Sequence, residues 1–161
     1  MTLKYAKGNL IDMAEQGHFD IIVQGCNCFC TMGSGIAKEI HTRYPEAYEA
    51  DRQTVAGARE KLGTYTTAIV QGEGDHEFAI VNAYTQYRYN KKGETADLFE
   101  YGAFLDVLIT LIDTVGYLRI GLPYIGMGLA GGDKDLIIKL IEIFAERVAD
   151  KGGSVTLVEF A

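Results

Sequence analysis

The segment from Gly121 to Asp133 constrains the fold more than any other part of the chain. It reads Gly-Leu-Pro-Tyr-Ile-Gly-Met-Gly-Leu-Ala-Gly-Gly-Asp and separates a short apolar run, 118–122, from an amphipathic run, 134–149. Glycines at this spacing let the backbone come close to a bulky anion, with its amide N–H groups free to point at it. A helix after such a turn adds the positive end of its dipole. The segment therefore predicts a strand, an anion-binding turn and a helix in succession.

A second glycine-rich turn, Met32–Ala37, has the same setting. It reads Met-Gly-Ser-Gly-Ile-Ala, follows a strand-like apolar run at 19–24 and opens a helical pattern at 34–43. In open α/β sheets, ligands bind at the carboxyl ends of the strands, which is where both turns fall. Two amide-rich turns predict a clamp for a molecule that carries more than one phosphate.

Strands and helices alternate along most of the chain. The hydrophobic patterns predict strands at 3–6, 19–24, 63–70, 77–84, 118–122 and 155–160 and helices at 34–43, 45–55, 96–115 and 134–149. The third and fourth strands are predicted to form a hairpin, because Gln-Gly-Glu-Gly-Asp separates them at 71–75. This order predicts a three-layer α/β/α sandwich over a mixed, mostly parallel central sheet of about six strands. With 161 residues, 48% of them hydrophobic, we expect a single domain over 1–161.

The charge balance and the cysteines argue against several classes of protein. A net charge of −7 disfavours broad nucleic-acid or membrane-surface binding, because both need a basic face. No apolar run approaches the ~20 residues of a membrane span, and the first residues lack the apolar core of a signal peptide. Cys26, Cys28 and Cys30 are too closely spaced for good disulfides and match a zinc site poorly. We therefore expect a cytoplasmic monomer with buried, apolar cysteines, no metal and no cofactor.

The run Gly126–Gly131 also fits the G-x-G-x-x-G pattern of dinucleotide-binding folds. That motif usually opens its domain, whereas here only one predicted helix and one predicted strand follow it. Glu159 lies further along the chain than the usual ~20 residues to the ribose-binding acid. A nicotinamide-dependent oxidoreductase is therefore disfavoured.

Two polar residues beside the turns have open interpretations. Asn27 follows the second predicted strand, where its amide suits a sugar hydroxyl or a reactive water, or else only its own backbone turn. Asp133 is either the N-cap of the helix that starts at Lys134 or an acid that orients a water near a bound phosphoryl group.

Together these segments resemble the macro domain family, which binds ADP-ribose. The resemblance runs through Lys7–Leu10, Val23–Ala37, Asn82–Tyr84, Leu122–Asp133 and the last predicted strand, and so covers nearly the whole chain. It implies ADP-ribose contacts at Asn9, Leu10, Gly33, Ser34, Gly35, Ile36, Asn82, Ile125, Gly126, Met127, Gly128, Leu129 and Phe160.

The same resemblance implies a role for several of these residues. Asn9 stands where the family has an acid that holds the adenine amino group, so its side-chain oxygen is expected to accept that bond. Asn27 falls against the distal ribose. The stretches 33–36 and 125–129 form the two walls of the diphosphate and distal-ribose site, and Phe160 packs on the adenine.

The Gly-Leu-Ala-Gly-Gly-Asp version of the second turn is most similar to the branch associated with ADP-ribose-1″-phosphate phosphatases. The implied reaction is metal-independent removal of phosphate from ADP-ribose-1″-phosphate, with Asn27 and Asp133 as catalytic residues. The alternatives are a non-catalytic ADP-ribose binding module and a hydrolase that acts on ADP-ribosylated protein or nucleic acid. One hydrolase branch of the family carries an aspartate where this chain has Ala37 and Lys38. Another branch carries a lysine in the region of Thr85–Arg88 and an aspartate in place of Ala130. These differences disfavour ester and nucleobase hydrolysis.

Overall fold

Helices and strands alternate along most of the chain, as the sequence predicts. The computed structural model describes residues 2–128 and 130–161. In chain order the elements are β1 (Lys4–Gly8), α1 (Leu10–Glu15), β2 (Ile21–Cys26), α2 (Gly35–Arg43), α3 (Pro45–Arg52), β3 (Tyr65–Gln71), β4 (Glu77–Tyr84), α4 (Tyr101–Val115), β5 (Arg119–Leu122), α5 (Lys134–Asp150) and β6 (Ser154–Phe160). A short 3-10 turn, Arg59–Lys61, lies between α3 and β3.

The strands form one sheet in the order β1-β6-β5-β2-β4-β3. All neighbours run parallel except β3, which pairs antiparallel with β4 and places Ala68 opposite Ile80. This confirms the predicted mixed, mostly parallel sheet. Because the carboxyl ends of parallel strands meet at one edge, the loops after β1, β2, β4 and β5 and the end of β6 gather there.

Helices cover both faces of the sheet and complete the predicted α/β/α sandwich. Alternate residues of a strand point to opposite faces, so Val23 packs in one apolar cluster and Ile22 in the other. The Val23 face is covered by α4 and α5, and the Ile22 face by α1, α2 and α3. The buried side chains that α4 and α5 contribute are Phe104, Val107, Leu108, Leu111, Ile137, Ile141, Phe144, Ala145 and Val148.

Helix α1 is absent from the sequence prediction. It is only six residues long, too short to show a clear helical period. Its start depends on Asn9, whose Oδ1 accepts hydrogen bonds from the backbone N–H groups of Ile11 and Asp12, each at 3.0 Å. This capping arrangement satisfies two of the free amides at the helix start.

Helix α4 begins at Tyr101 rather than at the predicted residue 96. The preceding segment is held elsewhere: the Leu98 N–H donates to the Ala130 carbonyl at 2.8 Å, and Phe99 forms a β-bridge with Gln86. These contacts cannot coexist with a helical backbone at 96–100. With 15 residues α4 is short of a membrane span, and no other described helix is long and apolar enough to be one.

Candidate ligand-binding cleft

A long cleft lies at the carboxyl edge of the sheet. It consists of two adjoining cavities of about 650 and about 590 Å³, which share Gly35, Ile36, Pro123 and Tyr124. We call the larger one the glycine half; it is lined by Gly25, Cys26, Asn27, Thr31, Gly33–Ala37, Gln86, Tyr89, Asn90, Pro123–Gly126, Gly128 and Ala130. We call the smaller one the aromatic half; it is lined by Gly8–Leu10, Gly35, Ile36, Glu39, Pro123, Tyr124 and Val158–Phe160.

The start of helix α2 forms one wall of the glycine half. Its N-cap, Ser34, has an extended backbone and makes no side-chain capping bond with described residues. The amides of Gly35, Ile36 and Ala37 are therefore left for a ligand, at the positive end of the helix dipole. Gly35 has φ +57°, which favours glycine, and a Cβ at Gly33 or Gly35 would meet nothing within 4 Å. This wall presents backbone to open space.

The turn after β5 forms the opposite wall, and its two glycines serve different needs. Gly126 has φ +74°, and a Cβ there would lie 2.4 Å from the ring of Phe99, so packing requires a glycine. A Cβ at Gly128 would meet nothing within 4 Å, so this position stays open for a ligand. The Gly126 and Gly128 amides donate to no described residue. Leu129, also predicted to contact the ligand, lies outside the described residues.

Asn27 lines the glycine half while its side chain braces its own turn. Its Oδ1 accepts from the Phe29 N–H at 2.8 Å, and its Nδ2 donates to the Thr31 hydroxyl at 2.7 Å. An amide oxygen has two lone pairs, so Oδ1 retains one for a ligand hydroxyl or a water. The structure therefore brings Asn27 to the cleft and also gives it the turn role that the sequence left open.

Asp133 is not among the residues that line the cleft, and its contacts favour the helix-cap interpretation of the two that the sequence left open. The turn closes before it, because the Gly132 N–H donates to the Gly126 carbonyl at 2.8 Å and the chain then leaves the cleft. The exposed Asp133 side chain accepts from the Leu136 N–H at 3.2 Å and caps α5. Its own N–H donates to the Tyr101 hydroxyl at 2.8 Å. The geometry makes Asp133 a helix cap and gives no support to a catalytic role.

Two other predicted contacts also lie outside the cleft. Met127 is partly buried and packs against the apolar cluster under α4 and α5. Asn82 is fully buried, two residues before the end of β4, with Nδ2 donating to the Ala47 carbonyl at 2.9 Å and Oδ1 accepting from the Gln24 amide at 2.9 Å. Because Asn82 points into the sheet–helix interface rather than to the sheet edge, its role is structural.

The loop after β4 contributes to the cleft, although none of its residues was predicted to do so from the sequence. Gln86, Tyr89 and Asn90 line the glycine half. A bidentate pair between Arg88 and Glu94, with both contacts at 3.1 Å, braces this loop. The signal was present in the sequence, since a Tyr- and Asn-bearing loop follows a strand at the same sheet edge as the glycine turns.

The aromatic half is built from the ends of β1 and β6 and from one side of α2. Phe160, 79% exposed, stands at the end of β6, and Leu10 is buried behind the cavity. Asn9 lies here as predicted, but both lone pairs of its Oδ1 are used by the amides of Ile11 and Asp12. The predicted hydrogen bond from an adenine amino group to that oxygen is therefore unavailable.

The glycine half acts through dipoles rather than charges. Its described lining residues include no acid, base or histidine. Burial raises the pKa of the Cys26 thiol well above its usual range, so it stays protonated and unreactive. All three cysteines are free, and no cluster of potential metal ligands occurs among the described residues.

Comparisons with known proteins agree with this geometry. The Macro domain family model matches residues 23–141. A protein described as an uncharacterized 17.5 kDa protein of the tk-vs intergenic region of Enterobacteria phage T4 is 31% identical over 154 residues, covering 92% of this chain and 93% of that protein. The macrodomain of Mycobacterium tuberculosis DarG superposes with a TM-score of 0.71 at 22% identity, covering 96% of each chain. Thermosipho africanus DarTG in complex with ADP-ribose gives a TM-score of 0.73 at 13% identity, covering 97% of this chain and 41% of that one.

Proposed function

The chain belongs to the macro domain family, and on this premise we propose that its cleft binds ADP-ribose. The observation that carries the proposal is that two glycine turns line the same cavity, the glycine half, and that a Cβ at Gly35 or at Gly128 would meet nothing within 4 Å. Backbone amides and a helix start suit a diphosphate, which would lie between these walls. The ADP-ribose complex of the structurally similar T. africanus protein supports the choice of ligand.

The remaining parts of ADP-ribose fit the two ends of the cleft. The distal ribose would lie near Asn27 and Tyr89, and the adenine near Phe160 in the aromatic half. The net charge of −7 does not oppose this arrangement locally, because no carboxylate is among the described residues of the glycine half. Binding through neutral dipoles avoids the cost of burying a cationic side chain.

A finer proposal is that the cleft also hydrolyses ADP-ribose-1″-phosphate without a metal ion. The free lone pair on Asn27 Oδ1 supports it, because this atom could orient a water for attack on the phosphorus. An amide is not a base, so the attacking water would give its proton to an oxygen of the phosphate group as the new P–O bond forms. The P–O bond to the 1″-oxygen of the ribose would break, and that oxygen would take the proton from the phosphate group, which yields ADP-ribose and inorganic phosphate. We expect turnover to be slow compared with that of enzymes that provide a carboxylate base.

Calorimetry in the presence of a chelator tests the binding proposal. We expect one ADP-ribose site per chain, and no measurable heat at millimolar ligand would contradict it. Release of phosphate from ADP-ribose-1″-phosphate by the same preparation tests the finer proposal. Asn27→Ala should slow that release by roughly 10-fold or more while ADP-ribose affinity falls less. Absence of release by the unmutated protein would leave a binding module.

A further inference from the structure

The aromatic half contains two acids, Glu39 and Glu159, which the sequence analysis did not assign. Glu159 lies on β6 with its side chain 55% exposed and forms a loose pair with Lys7 at 3.8 Å. Glu39 lies on α2 with its side chain 37% exposed, and it is held by two neighbours. Only Glu39 therefore has a fixed geometry from which to recognise a ligand.

Asn9 determines what Glu39 can do. The capping bonds fix the orientation of the Asn9 amide, since a flipped amide would point its NH₂ group at two backbone donors. In the capping orientation, Asn9 Nδ2 donates to Glu39 Oε1 at 3.2 Å. Asn9 therefore presents a donor to the aromatic half, and the acceptor beside it belongs to Glu39.

Arg43 holds Glu39 from the other side. Its Nη1 donates to the same Oε1 at 2.9 Å, while its Nη2 pairs with Asp12 at 2.8 Å and with Glu15 at 2.7 Å. A guanidinium shared among three carboxylates is confined to one position, and it confines Glu39 with it. Glu39 Oε2 forms no hydrogen bond with any described residue. The result is a held carboxylate with one unused oxygen beside the cavity.

We propose that Glu39 accepts the hydrogen bond of the adenine amino group and thereby selects adenine over bases with a carbonyl at that position. The assignment rests on the proposed binding of ADP-ribose. An ionised carboxylate accepts hydrogen bonds and donates none, so it pairs with an amino group and repels the carbonyl oxygen of hypoxanthine or guanine. The Asn9 NH₂ donor alone would favour those carbonyl bases. Glu39 is therefore the residue that makes the aromatic half prefer adenine to a base with a carbonyl.

The test compares the affinities of ADP-ribose and of the matching hypoxanthine ligand, inosine diphosphate ribose. The unmutated protein should bind ADP-ribose more tightly than inosine diphosphate ribose by a factor of roughly 10 or more. This ratio is modest because Glu39 is partly solvated. Glu39→Ala should bring the two affinities close to each other, mainly by lowering the affinity for ADP-ribose. Glu39→Gln carries an NH₂ group that can donate to the carbonyl, so it should shift the ratio further toward hypoxanthine. Thermal unfolding confirms that the variants are folded.

Two controls locate the effect. Glu49→Gln removes an exposed glutamate on α3 that pairs with Arg52, and it should leave the ratio unchanged. Loss of the ratio in Glu159→Gln instead of Glu39→Gln would assign the acceptor to β6 and overturn the proposal. An adenine preference that persists in Glu39→Ala would also overturn it, as would equal binding of both ligands to the unmutated protein. Failure of the unmutated protein to bind either ligand would contradict the proposed function itself.

Discussion

The two halves of the cleft recognise a ligand by different physical means. The glycine half offers backbone amides around Gly35, Gly126 and Gly128, and its described lining carries no charged side chain. The aromatic half offers side chains, chiefly Phe160 and Glu39. Among substitutions only proline removes a backbone N–H donor, and any other residue can at most block it, whereas each side chain can be removed singly. Ligand affinity should therefore be sensitive to added side-chain volume in the glycine half and to the functional groups of the side chains in the aromatic half.

The largest expected effect is blockage of the glycine half. Gly128→Glu should weaken ADP-ribose binding by roughly 100-fold or more, because the side chain fills the space beside the free amides and its charge repels the diphosphate. The fold should persist, since a Cβ at Gly128 meets nothing within 4 Å and φ is not in the left-handed region. Gly102→Glu, an equally open glycine on exposed helix surface, is the matched control in calorimetry.

The same variant tests whether the two halves of the cleft bind their parts of the ligand separately. AMP carries one phosphate and lacks the distal ribose, so its binding should depend mainly on the aromatic half. Gly128→Glu should therefore reduce AMP affinity far less than ADP-ribose affinity. Equal losses for the two ligands would mean that the halves do not act separately.

A smaller effect is expected in the aromatic half. Phe160→Ala should lower the affinities for ADP-ribose and for AMP by a similar factor, roughly 10-fold, because a base that stacks on an aromatic ring gains about 1–3 kcal/mol of binding free energy. Tyr117→Ala removes another exposed aromatic side chain, 64% exposed and outside the cleft, and should change neither affinity. Unchanged AMP binding in Phe160→Ala would place the base elsewhere.

Asp133 should affect stability without affecting either half. Asp133→Ala removes the cap of α5 and should lower the free energy of unfolding by about 1 kcal/mol, measured by urea denaturation. Asp135→Ala, an exposed acid in the same helix turn that does not cap it, should cost less. The affinity for ADP-ribose should be unchanged in both variants. A large loss of ADP-ribose-1″-phosphate turnover in folded Asp133→Asn would restore the catalytic assignment that the geometry disfavours.

The smallest effect concerns the opposite edge of the sheet. Hydrogen bonds from Arg119 hold the pKa of Asp20 below its usual value of 3.8. A carboxyl group with a lowered folded pKa contributes stability above its unfolded pKa, and this contribution is lost as the pH falls through the folded pKa. Asp20→Asn should therefore cost less than about 1 kcal/mol at pH 7, because the pair is partly solvated. The cost should shrink further at pH 3, whereas an equal cost at both pH values would show that charge is not its source.

Much of the fold and one half of the cleft follow from local sequence. The glycine turns were predictable because glycine spacing between a strand and a helix has few other uses, and Gly33, Gly35 and Gly128 do face open space. The sequence could not choose between the two interpretations of Asp133, because the position of its side chain depends on how the turn closes through the hydrogen bond between Gly132 and Gly126. Asn82 is buried between the sheet and α3, and the sequence alone did not show to which face of the sheet its side chain points.

The aromatic half was harder to predict because it combines distant segments. Glu39 looks like an ordinary exposed helix residue in the sequence, and its importance depends on contact with Asn9, 30 positions away. The substitution of an amide for the family's acid at Asn9 was visible. The sequence did not show that the Asn9 oxygen accepts the amides at the start of α1, because a helix of six residues is too short to be recognised.

An amide NMR titration of the isotopically labelled protein with ADP-ribose tests directly whether backbone amides hold the diphosphate. We expect large shifts of the backbone amide signals of Gly35, Ile36, Gly126 and Gly128, because these N–H groups would donate to the phosphates. The amides at the opposite edge of the sheet, near Asp20, should not respond. Saturation of the protein without shifts at either glycine wall would contradict the claim that backbone amides hold the diphosphate.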